Sequence, residues 1–329
     1  MAEELLRVEH LVKYFPGPSR SQVRVIEDIN FNVFKGETLG IVGESGCGKS
    51  TTARLLLRMI PPTSGRILFK GEDISKLSGS KIRALRREMQ MVFQDPFASL
   101  NPRMCVADII AEPLVCCTDM TAAERSQRVE QLLCLVGLDA NYSSRYPHEF
   151  SGGQRQRICI ARALALNPQL IICDEAVSAL DVSIRSQVLN LLAELQQKLG
   201  LTYIFISHDL SVVKHISDRI CVMYLGKIVE LAEKNELFSH PLHPYTQALL
   251  SAIPVPDPLA ENKRILLEGD IPSPVNPPSG CRFQTRCFEK QRSRPLCTLC
   301  DSVQPEWVQV RPGHFVACHQ YTPAVQPEP

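Results

Sequence analysis

The sequence predicts an α/β protein in which helices cover both faces of a mostly parallel sheet. After residue 168, short apolar segments typical of buried strands alternate with segments of helical periodicity. Earlier in the chain, the apolar residues 38–42 run directly into a glycine-rich loop that opens a helix. This alternation favours parallel strands, because each connection must cross over the sheet.

The predicted elements follow in order along the chain. Residues 5–42 show strand alternation, with a turn at Lys35-Gly36. A helix is expected from residue 49 to about residue 59, where Pro61 and Pro62 end it. The other expected strands are 66–69, 89–93, 170–173, 202–206 and 220–224, and the other expected helices are 184–199 and 210–216.

Two segments have a different character. Residues from about 100 to 168 nearly lack strand signals and carry helical periodicity, which predicts a helical subdomain. From Pro254 onward prolines crowd the chain, which argues against regular structure there. We therefore expect one domain over residues 1–253 and a Pro/Cys-rich extension over residues 254–329, with a frayed end at 323–329.

The composition is that of an ordinary globular protein, with 44% hydrophobic residues, 22% charged residues and a formal net charge of +1. This balance gives no electrostatic reason to expect nucleic acid as a partner. No apolar run approaches the roughly 20 residues of a membrane span, and the acidic N-terminus lacks an apolar signal core. The sequence predicts a cytoplasmic protein that reaches a membrane only through protein partners.

The glycine-rich loop has the spacing G-x-x-x-x-G-K-S, which is typical of nucleoside triphosphate binding when it lies between a strand and a helix. Its glycines let successive amides face phosphate oxygens, and the helix N-terminus adds a favourable dipole. Lys49 is expected to reach the β- and γ-phosphates, and Ser50 to ligate Mg²⁺. The residues expected to bind the nucleoside triphosphate here are Gly43, Glu44, Ser45, Gly46, Cys47, Gly48, Lys49, Ser50 and Thr51.

Acidic residues and a histidine follow two later strands. Asp174 ends an apolar strand, near the phosphate crevice of such a sheet, and suits Mg²⁺ binding. Glu175 is placed to polarise the attacking water. His208 follows the next strand and can hold that water or its base in place. Lys49, Glu175 and His208 are the candidate catalytic residues.

Two further motifs complete the set. Gln94 follows a strand, and its neutral amide can reach Mg²⁺ and withdraw without leaving a charge exposed, which suits a sensor of the site. Ser151-Gly152-Gly153-Gln154 opens a helix and forms a second anion site. A second phosphate site in one domain is redundant unless it serves a different nucleotide.

This order of motifs, over residues from about 5 to 250, resembles the ATP-binding subunit of ATP-binding-cassette (ABC) transporters. The resemblance implies a RecA-like core with a small antiparallel sheet, and two subunits packed head to tail with each ATP between one glycine-rich loop and the other's Ser-Gly-Gly-Gln. It also implies that Phe15 stacks on adenine, Asp181 lies at the dimer interface and Gln94 couples to the membrane subunits. Phe150 stands where leucine is commoner, and Ala176 where proline is usual.

A narrower resemblance covers almost the whole chain. Residues 94–102, 177–183, 243–250 and 272–281 are similar to the dipeptide/oligopeptide importer branch, and most similar to the F-type ATPase of dipeptide permeases. This implies ATP-driven import of di- or oligopeptides, a D-type partner ATPase forming a heterodimer, two transmembrane permease subunits and a solute-binding protein. It also implies a peripheral place at the cytoplasmic face of the inner membrane.

The extension carries five of the 13 cysteines. In a cytoplasmic chain such a cluster favours a metal site over disulfides. Some members of the resembled branch hold a [4Fe–4S] cluster, which needs four thiolates. Cys281, Cys287, Cys300 and Cys318 are the candidate ligands by this resemblance, with Cys297 as the alternative to Cys300. Zinc and the absence of any metal both remain open.

Three rival functions remain. Importers of nickel chelates, glutathione or another small solute use the same type of ATPase. A soluble ABC ATPase that acts on DNA or ribosomes is the rival from another class, opposed by the neutral charge and the peptide-branch extension. A degenerate subunit that binds ATP without turnover is opposed by intact Lys49, Glu175 and His208.

Overall fold

The computed structural model describes residues 3–17, 21–253, 264–290 and 294–322, with side chains omitted at 294–297. The expected frayed end at 323–329 lies outside the described residues. The strands are β1 Glu4–Pro16, β2 Gln22–Phe34, β3 Thr38–Val42, β4 Ser64–Phe69, β5 Glu72–Asp73, β6 Met89–Val92, β7 Leu170–Asp174, β8 Thr202–Ser207, β9 Arg219–Tyr224, β10 Lys227–Glu233, β11 Val308–Arg311 and β12 His314–Val316. The helices are α1 Lys49–Leu56, α2 Ser80–Glu88, α3 Pro96–Ser99, α4 Val106–Cys117, α5 Ala122–Leu135, α6 Gly152–Leu164, α7 Val182–Leu199, α8 Leu210–Ile216, α9 Lys234–Ser239, α10 Pro244–Ser251 and α11 Arg294–Ser302.

The central sheet has eight strands in the order β11-β12-β10-β9-β3-β8-β7-β6. Strand β3 pairs in parallel with both β8 and β9, and β7 pairs in parallel with β8 and β6. Strands β3, β7 and β8 are fully buried, as their uninterrupted apolar sequences require. The predicted α/β fold with a mostly parallel sheet is confirmed.

The small antiparallel sheet is also confirmed, with four strands in the order β2-β1-β4-β5. Alternating residues of β2, including Ile29 and Val33, are fully buried, while the residues between them remain partly exposed. This alternation is the period-two pattern that the sequence displays. The sheet brings β2 next to the glycine-rich loop, since the amide of Glu27 donates to Gly226 and that of Gly226 donates to Cys47.

The predicted helical subdomain forms from α4, α5 and α6. Ile110 of α4, Leu133 of α5 and Ile158 of α6 are fully buried in one apolar cluster. Thr121 begins α5 with a capping box, because its hydroxyl accepts from the amide of Glu124 while the Glu124 carboxylate accepts from the amide of Thr121.

The extension differs from the expectation in two respects, since helix α11 and a β-hairpin form where the sequence argued against regular structure. Residues 264–280 contain no helix or strand, as predicted. The hairpin of β11 and β12, which the sequence did not predict, adds to the central sheet because β12 pairs with β10. The boundary near residue 253 stays a prediction, since strands from both sides of it share one sheet.

A buried polar network fastens this hairpin. The Glu230 carboxylate is fully buried and accepts hydrogen bonds from the amides of Leu242 and His243 at 2.8 and 2.9 Å. The buried His314 lies 2.7 Å from the same carboxylate through Nε2. Because each of these polar groups has a partner, the network offsets the cost of burying a charge and fixes the start of α10 against β10.

Candidate functional site

The predicted site residues converge because four parallel strands end at one edge of the sheet. Strand β3 leads into the glycine-rich loop, β7 ends in Asp174, β8 leads to His208 and β6 leads to Gln94. Their pairing is parallel throughout, so their carboxyl ends face the same crevice. A cavity of about 230 Å³ lies there, lined by Val25, Ser45, Gly46, Gly48, Lys49, Ser50, Thr51, Gln94 and Glu175.

The loop requires glycine at two of its positions. Gly43 has φ of 155°, and a Cβ there would lie 2.2 Å from the carbonyl oxygen of Met223. Gly48 has φ of 109°, and a Cβ there would lie 2.9 Å from the carbonyl oxygen of Val25. Both positions combine positive φ with close backbone approach, which only glycine accommodates. The loop is therefore held as a preformed cradle of amides.

Lys49 lies inside this cradle and is nearly buried. Its ammonium group donates to the carbonyl oxygens of Gly43 and Glu44 at 2.8 and 2.9 Å. Burying an ammonium group is costly unless it is hydrogen-bonded, and these carbonyls satisfy it. The lysine is thus placed at the cavity wall, where it can donate to phosphate oxygens instead.

Ser50 and Asp174 offer a pair of oxygen atoms that could bind a metal ion. The Ser50 hydroxyl donates to Asp174 Oδ1 at 2.9 Å. Burial raises the pKa of Asp174, the hydrogen bond from Ser50 lowers it, and the neighbouring Glu175 raises it again. Hydroxyl, carboxylate and amide oxygens are the ligands that Mg²⁺ prefers, so the donor set of Ser50, Asp174 and Gln94 fits this ion.

Glu175 has an unusual backbone conformation. Its backbone is left-handed, with φ of 48°. The amide of Glu175 donates to Ile206, and its carbonyl accepts from the Ser178 hydroxyl at 2.9 Å. A strained backbone held by surrounding hydrogen bonds is typical of a functional residue. The strain aims the Glu175 carboxylate at the cavity.

The Glu175 carboxylate is held between two other predicted residues. Gln94 Nε2 donates to its Oε2 at 2.9 Å, and His208 Nδ1 lies 3.3 Å from its Oε1. The His208 side chain is 58% exposed, so it stands at the mouth of the crevice. Gln94 and Glu175 thus line one cavity, and Asp174 and His208 contact its lining residues Ser50 and Glu175.

The predicted second anion site lies apart from this cavity. Ser151 caps α6, and its capping box with Gln154 leaves the helix start ordered. None of the residues 151–154 lines the cavity beside the loop. Asp181 begins the neighbouring helix α7 without a capping hydrogen bond from its side chain. The roles of these residues stay predictions.

Five residues predicted to contact ATP lie outside the lining of the cavity: Phe15, Gly43, Glu44, Cys47 and Asp174. Phe15 is on β1, where Lys13 Nζ stands 4.9 Å from its ring centre. The Glu44 carboxylate turns toward Arg286 of the extension. Sequence reasoning missed Arg286 and the side chain of Tyr245, which also contacts Glu44. In the sequence, these contacts were signalled only by the position of Arg286 beside Cys287 and by the place of Tyr245 in the 243–250 motif.

The four preferred extension cysteines form one neighbourhood. The amide of Cys281 donates to the carbonyl of Cys300 at 2.8 Å. The Cys300 thiol raises the pKa of Cys281, and burial raises the pKa of Cys318 to about 12, with Cys287 and Cys300 adding to that rise. Across the described ranges, no group of three or more His, Cys, Asp or Glu residues has a metal-binding arrangement. The Cys297 side chain is outside the described residues.

Comparisons with known proteins agree with this geometry. The ABC transporter family matches residues 26–178, and the C-terminal region of oligopeptide/dipeptide transporters matches residues 229–293. The oligopeptide transport ATP-binding protein AppF of Bacillus subtilis is 56% identical, covering 97% of this chain and 98% of its own. A probable peptide ABC transporter ATP-binding protein, y4tS, of Sinorhizobium fredii is 54% identical, covering 98% of this chain and 92% of its own.

Solved structures are similar over the nucleotide-binding part. The protein cbiO1 from Clostridium perfringens, part of the ABC transporter complex cbiONQ, has a TM-score of 0.65 at 31% identity, covering 72% of this chain and 92% of its own. The ATP-binding cassette MJ0796, a dimer in a post-hydrolysis state with ADP and Pi, has a TM-score of 0.64 at 27% identity, covering 70% and 99%. Among the described residues, no helix has the length and apolar character to span a bilayer.

Proposed function

The chain belongs to the ATP-binding subunits of ABC transporters, and on this premise we propose that it hydrolyses ATP to energise the import of di- and oligopeptides through a membrane permease. The observation that carries the peptide assignment is the match of residues 229–293 to the C-terminal region of oligopeptide/dipeptide transporters. Relatives named for peptide transport across nearly the whole chain support it.

The site residues have distinct roles in this reaction. Lys49 exchanges its bonds to the Gly43 and Glu44 carbonyls for bonds to the β- and γ-phosphate oxygens. Ser50, Asp174 and Gln94 would hold Mg²⁺, which would neutralise charge on the phosphates. The Glu175 carboxylate takes a proton from the water whose oxygen attacks the γ-phosphorus, as ADP leaves. His208 and Gln94 keep that carboxylate aimed at the water.

We further propose that Ser151, Gly152, Gly153 and Gln154 bind the γ-phosphate of an ATP held by a second cassette. Their separation from the chain's own cavity supports this role, as does the dimeric form of the related cassette MJ0796. Phe15 would stack on adenine, and Asp181 would lie at the interface. A D-type cassette is the expected partner, which makes the pair a heterodimer.

The permease is proposed to dock beside Gln94, which places the chain at the cytoplasmic face of the inner membrane. Exposed apolar side chains lie close to this residue along the chain, with Phe93 37% and Phe97 62% exposed. Met59, which lines a groove together with Phe93, is 46% exposed. Contact at this surface would couple the Gln94–Glu175 hydrogen bond to movement of the permease.

Affinity purification from detergent-solubilised membranes tests this function. We expect two multi-span permease subunits and a second cassette ATPase to co-purify. Phe97→Ser should release the permease, whereas Met120→Ser, a surface apolar residue elsewhere in the helical subdomain, should retain it. A set of purely soluble partners would favour the soluble ABC ATPase instead. Stimulation of turnover by a binding protein loaded with peptide, nickel chelate or glutathione would then identify the solute.

We also propose that Cys281, Cys287, Cys300 and Cys318 hold a [4Fe–4S] cluster. The hydrogen bond from the Cys281 amide to the Cys300 carbonyl places two of these residues side by side, and three of the four cysteines are buried. Thiolates are the ligands that such clusters require. Because the described residues hold no ready-made metal arrangement, the thiols must move together when a cluster binds.

Iron and sulfide analysis of anaerobically purified protein checks this proposal. We expect about four iron atoms per chain, the content of one [4Fe–4S] cluster. Cys281→Ser should lower this content severalfold, while Cys134→Ser, at an exposed position on α5, should leave it unchanged. Loss of iron in Cys297→Ser but not in Cys300→Ser would assign the alternative ligand. Zinc in place of iron, or no metal, would contradict the cluster.

A further inference from the structure

The extension reaches back to the glycine-rich loop through Arg286. The guanidinium of Arg286 donates to both oxygens of the Glu44 carboxylate, from Nη1 at 2.7 Å and from Nη2 at 3.2 Å. The Arg286 side chain is only 9% exposed. This two-pronged geometry is the strongest form of side-chain ion pair, because both donors and both acceptors are satisfied together.

Tyr245 of α10 holds the backbone of the same residue. Its hydroxyl oxygen accepts from the amide of Glu44 at 2.8 Å. Tyr245 is fully buried and packs against Tyr224 and Phe283, with ring centres 4.7 and 5.5 Å away. Phe283 belongs to the extension. One cluster of packed aromatic rings therefore joins α10, β9 and the extension behind the loop.

Glu44 is thereby fixed at three of its groups. Its amide is held by Tyr245, its carboxylate by Arg286 and its carbonyl by Lys49. The position of Lys49 in the absence of phosphate thus depends on a residue that the extension holds. Movement of Glu44 would move both an amide of the cradle and the lysine that must reach the phosphates.

Charge gives a second reason for the contact. A free carboxylate on the loop would repel a triphosphate, which carries several negative charges. Arg286 turns this carboxylate away, since Glu44 does not line the cavity, and neutralises it. Loss of Arg286 would leave the Glu44 carboxylate without this ion pair on the loop that is expected to bind phosphate.

We propose that Arg286 and Tyr245 are positioning residues for ATP, through which docking of the C-terminal extension sets the affinity of the glycine-rich loop. The inference rests on ATP binding by the loop and is independent of which solute is carried. It gives the extension a role in the ATPase reaction itself. Neither residue touches the nucleotide, so both act through Glu44.

Steady-state ATP hydrolysis by the purified complex tests the proposal. Arg286→Ala should raise the KM for ATP about ten-fold with kcat changed little, because one unneutralised charge near the phosphates weakens binding rather than chemistry. The effect should shrink at high ionic strength, since salt screens a partly exposed charge. Arg311→Ala is the matched control, as it removes an extension arginine that pairs with Glu236 far from the loop.

The double variant Arg286→Ala/Glu44→Gln separates electrostatics from damage to the fold. Removing the unneutralised carboxylate should restore the KM to within about two-fold of the original value, since the repulsion is then gone. Failure of Glu44→Gln to rescue Arg286→Ala would overturn the proposal and would indicate damage through the neighbouring Cys287. An unchanged KM in Arg286→Ala would also overturn it.

Tyr245→Phe provides an independent measurement. It removes the acceptor of the Glu44 amide but keeps the packed ring, so the fold should survive. Titration with a non-hydrolysable ATP analogue should show affinity reduced about five-fold, the effect of losing one buried hydrogen bond. Unchanged affinity would remove Tyr245 from the proposal. If wild-type protein itself fails to bind the analogue, the ATPase assignment fails and not this inference alone.

Discussion

Replacing Glu175 by glutamine is expected to collapse ATP turnover while ATP-bound dimers accumulate. The variant keeps the shape of the side chain and its contact with Gln94, but the amide cannot take a proton from water. Loss of a general base costs about 10²–10⁴-fold in rate. Because the ATP-binding residues are unchanged, ATP still joins the two cassettes. Hydrolysis, the step that separates them, does not take place.

Phosphate release and size-exclusion chromatography of the chain mixed with its partner cassette, in ATP and Mg²⁺, measure both effects. Glu194→Gln is a matched control, since it makes the same chemical change at an exposed position on α7. Turnover should be unchanged in this control. Unchanged turnover in Glu175→Gln would exclude Glu175 as the base and direct attention to His208, which stands 3.3 Å from it.

The convergence of the site could be predicted because it follows from parallel pairing alone. Asp174, His208 and Gln94 each follow a buried strand, and parallel strands deliver their carboxyl ends to one edge. The bounds predicted for helix α8 agree with the structure, where the Asp209 carboxylate caps the helix by accepting from the amides of Ser211 and Val212. Signals of this kind are local, so they can be recognised in the sequence.

The contacts made by the extension could not be predicted in this way. The ion pair between Arg286 and Glu44 joins residues 242 positions apart, and no sequence pattern links the two. The strands β11 and β12 have only four and three residues, too few for alternation to be read. Their place in the sheet depends on the buried pair of His314 and Glu230, which is a tertiary effect.

Gly152 offers the sharpest test of a site shared between two subunits. A Cβ at Gly152 would meet only Leu180 Cδ2 at 3.5 Å, which is ordinary contact, and its backbone has no positive φ. Nothing in the described surroundings therefore demands glycine at this position. Gly153 is different, because a Cβ there would lie 2.4 Å from Ile184 Cγ2. The proposed contact with a partner's phosphate would supply a reason for glycine at position 152.

Gly152→Asp should therefore abolish turnover of the assembly without harming the chain that carries it. A carboxylate in the first turn of α6 favours the helix dipole, so the free energy of unfolding should change by less than about 1 kcal/mol. ATP affinity of the isolated chain should be unchanged, because residue 152 does not line its own cavity. Turnover should fall by about 10²-fold or more, since the carboxylate repels the partner's γ-phosphate.

Ala123→Asp is the matched control for this variant. It places the same charge in the first turn of α5, at an exposed position of the same subdomain. Turnover should be retained there, because this helix start faces no nucleotide in the proposed arrangement. If Gly152→Asp instead weakens ATP binding by the isolated chain, the signature acts on its own nucleotide. The redundancy of two phosphate sites in one domain would then need a different explanation from a shared site.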